Sequence, residues 1–122
     1  MSYALYALLR DGMADPEKFL EEQAERSPAE VDMAHAQRVA AVLRRLVPTE
    51  AERVPGGIEL EGNGFTAFVD DCSVGISLPM GQNESDEKHI DALLEVAYEF
   101  DYIVFDPQAG TIMDLASDES LG

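Results

Sequence analysis

The chain has 122 residues, of which 46% are apolar, and its 25 acidic and 8 basic side chains give a formal net charge of −17. That length suits one domain with one hydrophobic core, and that apolar content argues against an intrinsically disordered chain. Seven of the eight bases precede Gly57 and fifteen of the 25 acids lie from Gly57 onward, so the two halves carry −3 and −14; such a field repels phosphate backbones and anionic membrane surfaces and speeds encounter with cationic proteins.

Met1 to Arg10 has no basic flank and no long apolar run, so neither a signal peptide nor a membrane span is expected and the expected location is the cytoplasm. Tyr3 to Leu9 is apolar on both alternating sets, as in a central strand covered on both faces. Arg10-Asp11-Gly12 ends it. Asp15-Pro16-Glu17 opens a short helix with Asp15 as N-cap and Pro16 at the first helical position, and Phe19, Leu20, Gln23 and Ala24 give it an inward face. Ser27-Pro28-Ala29-Glu30 reads as a capping box, predicting a helix from there to about Leu46, where Pro48 blocks continuation. Its expected apolar stripe is Val31, Val39, Val42, Leu43 and Leu46, with His35 in the same arc. Arg38, Arg44 and Arg45 make this the basic region and are expected to pair with carboxylates on the protein's own surface.

Thr49 to Gly57 is expected to be a polar connection. Ile58 to Glu61 and Phe65 to Val69 are predicted strands around a Gly62-Asn63-Gly64 hairpin turn. Asp70-Asp71 is a break, after which Val74, Ile76 and Leu78 alternate along a strand with one buried face. In the stretch from Asn83 to Phe100, Ile90, Leu93, Leu94 and Ala97 recur at i, i+3, i+4 and i+7, one face of a helix. Glu84, Asp91, Glu95 and Glu99 lie opposite. Tyr102 to Phe105 is a short strand, and Asp106-Pro107-Gln108-Ala109-Gly110 turns into a second one. The order predicts a single α+β domain over 1–115: a mainly antiparallel sheet with helices on one face, with a ferredoxin-like β-α-β-β-α-β core and additions. Residues 116–122 are expected to fray.

Cys72 is the only cysteine, so the chain forms no internal disulfide and no cysteine-based zinc site. The two histidines, His35 and His89, lack the spacing of metal ligands, and His35 is expected to be a satisfied histidine at the core's edge. Asp70, Asp71 and Asp106 raise the question of carboxylate chemistry, but in turns such residues ordinarily cap their own backbone. The glycine pairs lack the context of a phosphate loop, and the serines lack that of a nucleophile elbow. No catalytic site, cofactor or metal is expected.

Ser2-Tyr3-Ala4-Leu5-Tyr6-Ala7-Leu8 and Tyr102-Ile103-Val104-Phe105-Asp106-Pro107-Gln108-Ala109-Gly110 resemble segments of small acidic bacterial proteins, among them immunity proteins encoded beside polymorphic or contact-delivered toxins. The resemblance covers the two ends of the domain and implies a cytoplasmic inhibitor that binds one cognate toxin; it assigns no functional residues. With the charge split, it points to an acidic module that neutralises a basic protein, with Glu84, Asp91, Glu95 and Glu99 as the expected contact residues and Asp70 and Asp71 behind them. Two other readings stand beside it: a metal-assisted hydrolase using Asp70, Asp71 or Asp106, and a self-associating structural protein. Repulsion at −17 per chain favours a monomer over a homodimer.

Overall fold

In a computed structural model, which describes residues 2–62, 65–79 and 84–114 and side chains at 4–62, 65–78 and 88–114, the chain forms three helices on one seven-stranded antiparallel sheet. The strands are β1 (Ser2–Leu9), β2 (Glu50–Val54), β3 (Gly57–Gly62), β4 (Phe65–Val69), β5 (Ser73–Pro79), β6 (Tyr102–Asp106) and β7 (Thr111–Met113). The helices are α1 (Pro16–Ala24), α2 (Met33–Leu46) and α3 (Glu84–Phe100).

The sheet order is β2-β3-β4-β5-β1-β6-β7. Within it β1, α2, β4, β5, α3 and β6 follow one another as β-α-β-β-α-β. Their four strands are neighbours in the order β4-β5-β1-β6, each pair antiparallel. The split crossovers put β5 between β1 and β4, which run the same way, and β1 between β5 and β6. This is the ferredoxin-like core. The additions are β2 and β3 on one edge, β7 on the other, and α1.

Strand residues alternate between the two faces. Leu5, Ala7, Val69, Val74, Ile76 and Val104 point to the face covered by α2 and α3, where they meet Ala36, Val39, Leu43, Leu93, Val96 and Ala97. On the other face Leu8, Ile103 and Phe105 form a smaller cluster with Met13, Phe19 and Leu20, so the short α1 roofs one end of that face. The two long helices share one face as expected, and α1 alone lies behind the sheet. Among the described residues no helix is long and apolar enough to cross a membrane.

Local chemistry explains where the elements depart from their expected limits. Asp15 caps α1 as expected, accepting from the Lys18 amide at 3.2 Å. Ser27 makes no such bond: Pro28–Glu30 is a single 3-10 turn, and the chain is extended again at Val31. The cap of α2 is Asp32, which accepts from the His35 amide at 3.2 Å. Asp71 takes the Asp32 amide at 3.0 Å and holds the chain out of helix there. The buried arc of α2 is Ala36, Val39, Ala40, Val42 and Leu43, so Val39, Val42 and Leu43 of the expected stripe are buried, while Leu46 is 47% exposed. In α3 the arc is rotated, with His89, Ala92, Leu93, Val96 and Ala97 buried and Ile90 and Leu94 half-buried.

The stretch expected as a polar connection contains β2. Pro55-Gly56 closes its hairpin to β3, with Gly56 at φ +83°, as the third position of a type II turn requires. Asn63, Gly64 and the tail at 116–122 lie outside the described residues.

Candidate functional site

Three groups of acids are treated differently by the fold. The first is the β4–β5 turn. Asp70 Oδ1 accepts from the Cys72 and Ser73 amides at 2.8 and 2.7 Å and from the Ser73 hydroxyl at 3.2 Å. Asp71 receives Arg26 Nη2 at 2.6 Å and Nη1 at 3.3 Å, besides the Asp32 amide. Burial opposes ionisation of Asp71, but the bonds from Arg26 and Asp32 outweigh it and hold its carboxyl below the ordinary value of 3.8. Burial, with the charge of Asp70, pushes the Cys72 thiol well above its ordinary range. Asp70, Asp71 and Cys72 offer ligand atoms within 4.8 Å of one another. An ion there would compete with Arg26 and with three backbone amides. The turn ties α2 to the sheet.

The second group lies on α3. Asp91 and Glu95 are exposed one turn apart. Glu99, a further turn on, stands 3.8 Å from Arg45 of α2. The side chain of Glu84 lies outside the described residues. Asp70 and Asp71 stand on a different element from these, in the β4–β5 turn. Among the described residues Arg45 faces a carboxylate, whereas Arg38 donates to His35 Nδ1 and Arg44 to the Thr49 carbonyl.

The third group is on the sheet, and sequence reading passes over it because half of it lies in β2. Glu52 is opposite Glu59 and Glu50 opposite Glu61 in the β2–β3 register. Directly opposite residues share a face, with Cβ atoms roughly 4.5–5.5 Å apart. All four carboxylates are exposed on the face turned away from α2 and α3. Arg53, the base of that strand, pairs with Ile58 on the helix side. Among the described residues the ion pairs are those of Arg10, Arg26 and Arg45, and none involves these four carboxylates.

The register carries this row onward. Glu59 is opposite Phe68, Phe68 opposite Gly75, Gly75 opposite Tyr6, Tyr6 opposite Phe105, and Phe105 opposite Ile112. A Cβ on Gly75 would lie 2.8 Å from Tyr6 Cε1, and one on Gly57 2.5 Å from Phe68 Cζ. Each ring thus lies back over a glycine of the next strand. Between the rings runs a groove of about 300 Å³, floored by Ala4, Thr66, Gly75 and Ser77, with Glu59 at its end. It adjoins a second hollow of about 310 Å³ formed by the four glutamates and Thr66. Phe68 remains 40% exposed.

The histidines are structural. His35 accepts from Arg38 on Nδ1, so its Nε2 carries the proton and donates to the Tyr102 hydroxyl at 3.1 Å. His89 is buried with its ring 4.2 Å from that of Phe65. Its burial could have been found from its helical spacing to Ala92, Leu93 and Val96. The Asp-Pro-Gln turn is structural too. Asp106 Oδ1 accepts from the Gln108 and Ala109 amides, while the Gln108 side chain bonds both the carbonyl and the amide of Ala4, at 2.8 and 3.0 Å. The two end segments are thus neighbours, locked strand to strand.

No family model matches the chain, and no curated protein or solved structure matches it either.

Proposed function

We propose that this protein is a non-catalytic acidic binding module that covers the basic surface of another protein, in the manner of a cytoplasmic immunity protein that neutralises a cognate basic toxin. One observation carries this reading: four carboxylates stand in facing pairs on β2 and β3, exposed, and among the described residues none of them is in an ion pair. Facing like charges cost a sheet up to about 1 kcal/mol per pair. A cationic partner would turn that cost into attraction. By contrast, Asp70 and Asp71, the best-placed acids for hydrolytic chemistry, are occupied in holding Arg26, Asp32 and the β5 amides. This favours binding over the hydrolase reading.

The test is kinetic. A basic protein retained from native lysate at low salt and released at high salt would be purified, and its association rate measured. Glu52→Lys with Glu59→Lys is expected to slow association about tenfold or more at low salt, since paired fields act chiefly on encounter. Asp91→Lys with Glu95→Lys reports in the same assay on the helix face. An on-rate that neither double variant changes would sink the proposal. Mg²⁺ or Mn²⁺ binding that disappears in Asp71→Asn would move the hydrolase in front of it.

A further inference from the structure

Resting on that binding reading, we infer that the groove between Tyr6 and Phe68 is the seat for an arginine side chain from an extended basic segment of the partner protein. The floor of Ala4, Gly75, Ser77 and Thr66 is small-sided, leaving room for the aliphatic stem of a long side chain along the sheet. Two aromatic rings border it, and Phe68 is open to solvent. Glu59 closes one end, with Glu52 directly across from it in register.

An apolar trough with aromatic sides and a carboxylate terminus discriminates among occupants. An apolar side chain would leave Glu59 against it without a counter-charge, which costs both groups. An anionic ligand meets four carboxylates. A lysine satisfies the charge but offers only a point cation. A guanidinium stacks flat on a ring while its edge reaches a carboxylate with two parallel donors. The second hollow, between the Glu50–Glu61 and Glu52–Glu59 pairs, lies one strand further on and takes a second base of the same segment. The segment crosses the strands from Tyr6 toward β2, following the row of facing residues.

The experiment is an NMR titration of the ¹⁵N-labelled protein at low salt with a blocked oligo-arginine peptide, and in parallel with its lysine counterpart. Saturable shifts are expected at Tyr6, Glu59, Thr66, Phe68 and Gly75, with the arginine peptide bound at least about fivefold more tightly than the lysine one. Glu59→Gln and Phe68→Leu should each weaken arginine binding by about fivefold or more while the spectrum stays that of the folded protein. Glu59 is exposed, so that variant remains informative even if Phe68→Leu perturbs the sheet. Saturable shifts confined to Asp91, Glu95 and their neighbours would overturn the groove assignment and leave the acidic module in place. Absence of any saturable shift with either peptide would overturn both.

Discussion

Asp71 is the residue that fastens the β4–β5 turn to the chain entering α2. Its partners, Arg26 and the Asp32 amide, come from the connection leading into α2. Bonds to a charged group contribute roughly 1.5–3 kcal/mol each when one partner is removed, and asparagine keeps an oxygen that can still accept, so the lower end applies. Asp71→Asn is expected to cost about 2 kcal/mol in denaturant unfolding at neutral pH. The sign with pH follows from the lowered carboxyl. Its contribution is complete above the unfolded value near 3.8 and is lost as pH falls through the lower folded value. Wild type and variant should therefore converge in strongly acidic solution, and a gap that persists there would contradict the ion pair as its source. The sequence marked Asp70-Asp71 as a turn correctly, but the identity of Asp71's partner was beyond it. Arg26 and Asp71 are 45 residues apart in the chain and meet only in the folded protein.

At the scale of an element, the caps of the helices were only partly legible. Ser27-Pro28-Ala29-Glu30 has the letters of a capping box, yet the helix begins at Met33. A tertiary bond to the Asp32 amide decides between two local solutions that composition leaves close. Asp32→Ala is accordingly expected to cost about 1 kcal/mol, the usual loss of an N-cap. Ser27→Ala should change stability by no more than a few tenths, as a surface substitution does. Thermal unfolding of both variants distinguishes the caps, and the reverse order would restore the predicted one. β2 was missed for a related reason. Four of its five residues are exposed and their polarity does not alternate, so no hydrophobic period marks it. Backbone pairing to β3 and the Pro55-Gly56 turn make it a strand. With β2 unseen, Glu59 and Glu61 read as ordinary solvent-facing positions, and their facing partners could not be found.

For the whole molecule, periodicity and turn chemistry were enough for the ferredoxin-like core, because β1, β4, β5 and β6 each bury a regular apolar set against two amphipathic helices. The charge of −17 gives no such positional information; it acts on the folded state as a general repulsion. Screening should relieve it, since the Debye length falls from about 30 Å at 0.01 M salt to about 8 Å at 0.15 M. The melting temperature is expected to rise over that range. Glu52→Gln should stabilise the protein at low salt by a few tenths of a kcal/mol, up to about 1, by removing one facing like-charge pair. Its advantage should shrink as salt is added. A variant less stable than wild type at low salt would mean that the glutamates are not in conflict on the sheet.

Among the described residues β2 is also the outermost strand on its side, with a strand neighbour along one edge of its backbone. Such a border invites another sheet to continue it, and charge is one way of refusing the invitation. Glu50 and Glu52 place negative charge along this border. Substitution by glutamine and a protein partner can both cancel that charge, with different results. A partner lying over the glutamates also shields the border, whereas the substitutions remove the charge and leave the border bare for other copies of the chain to join.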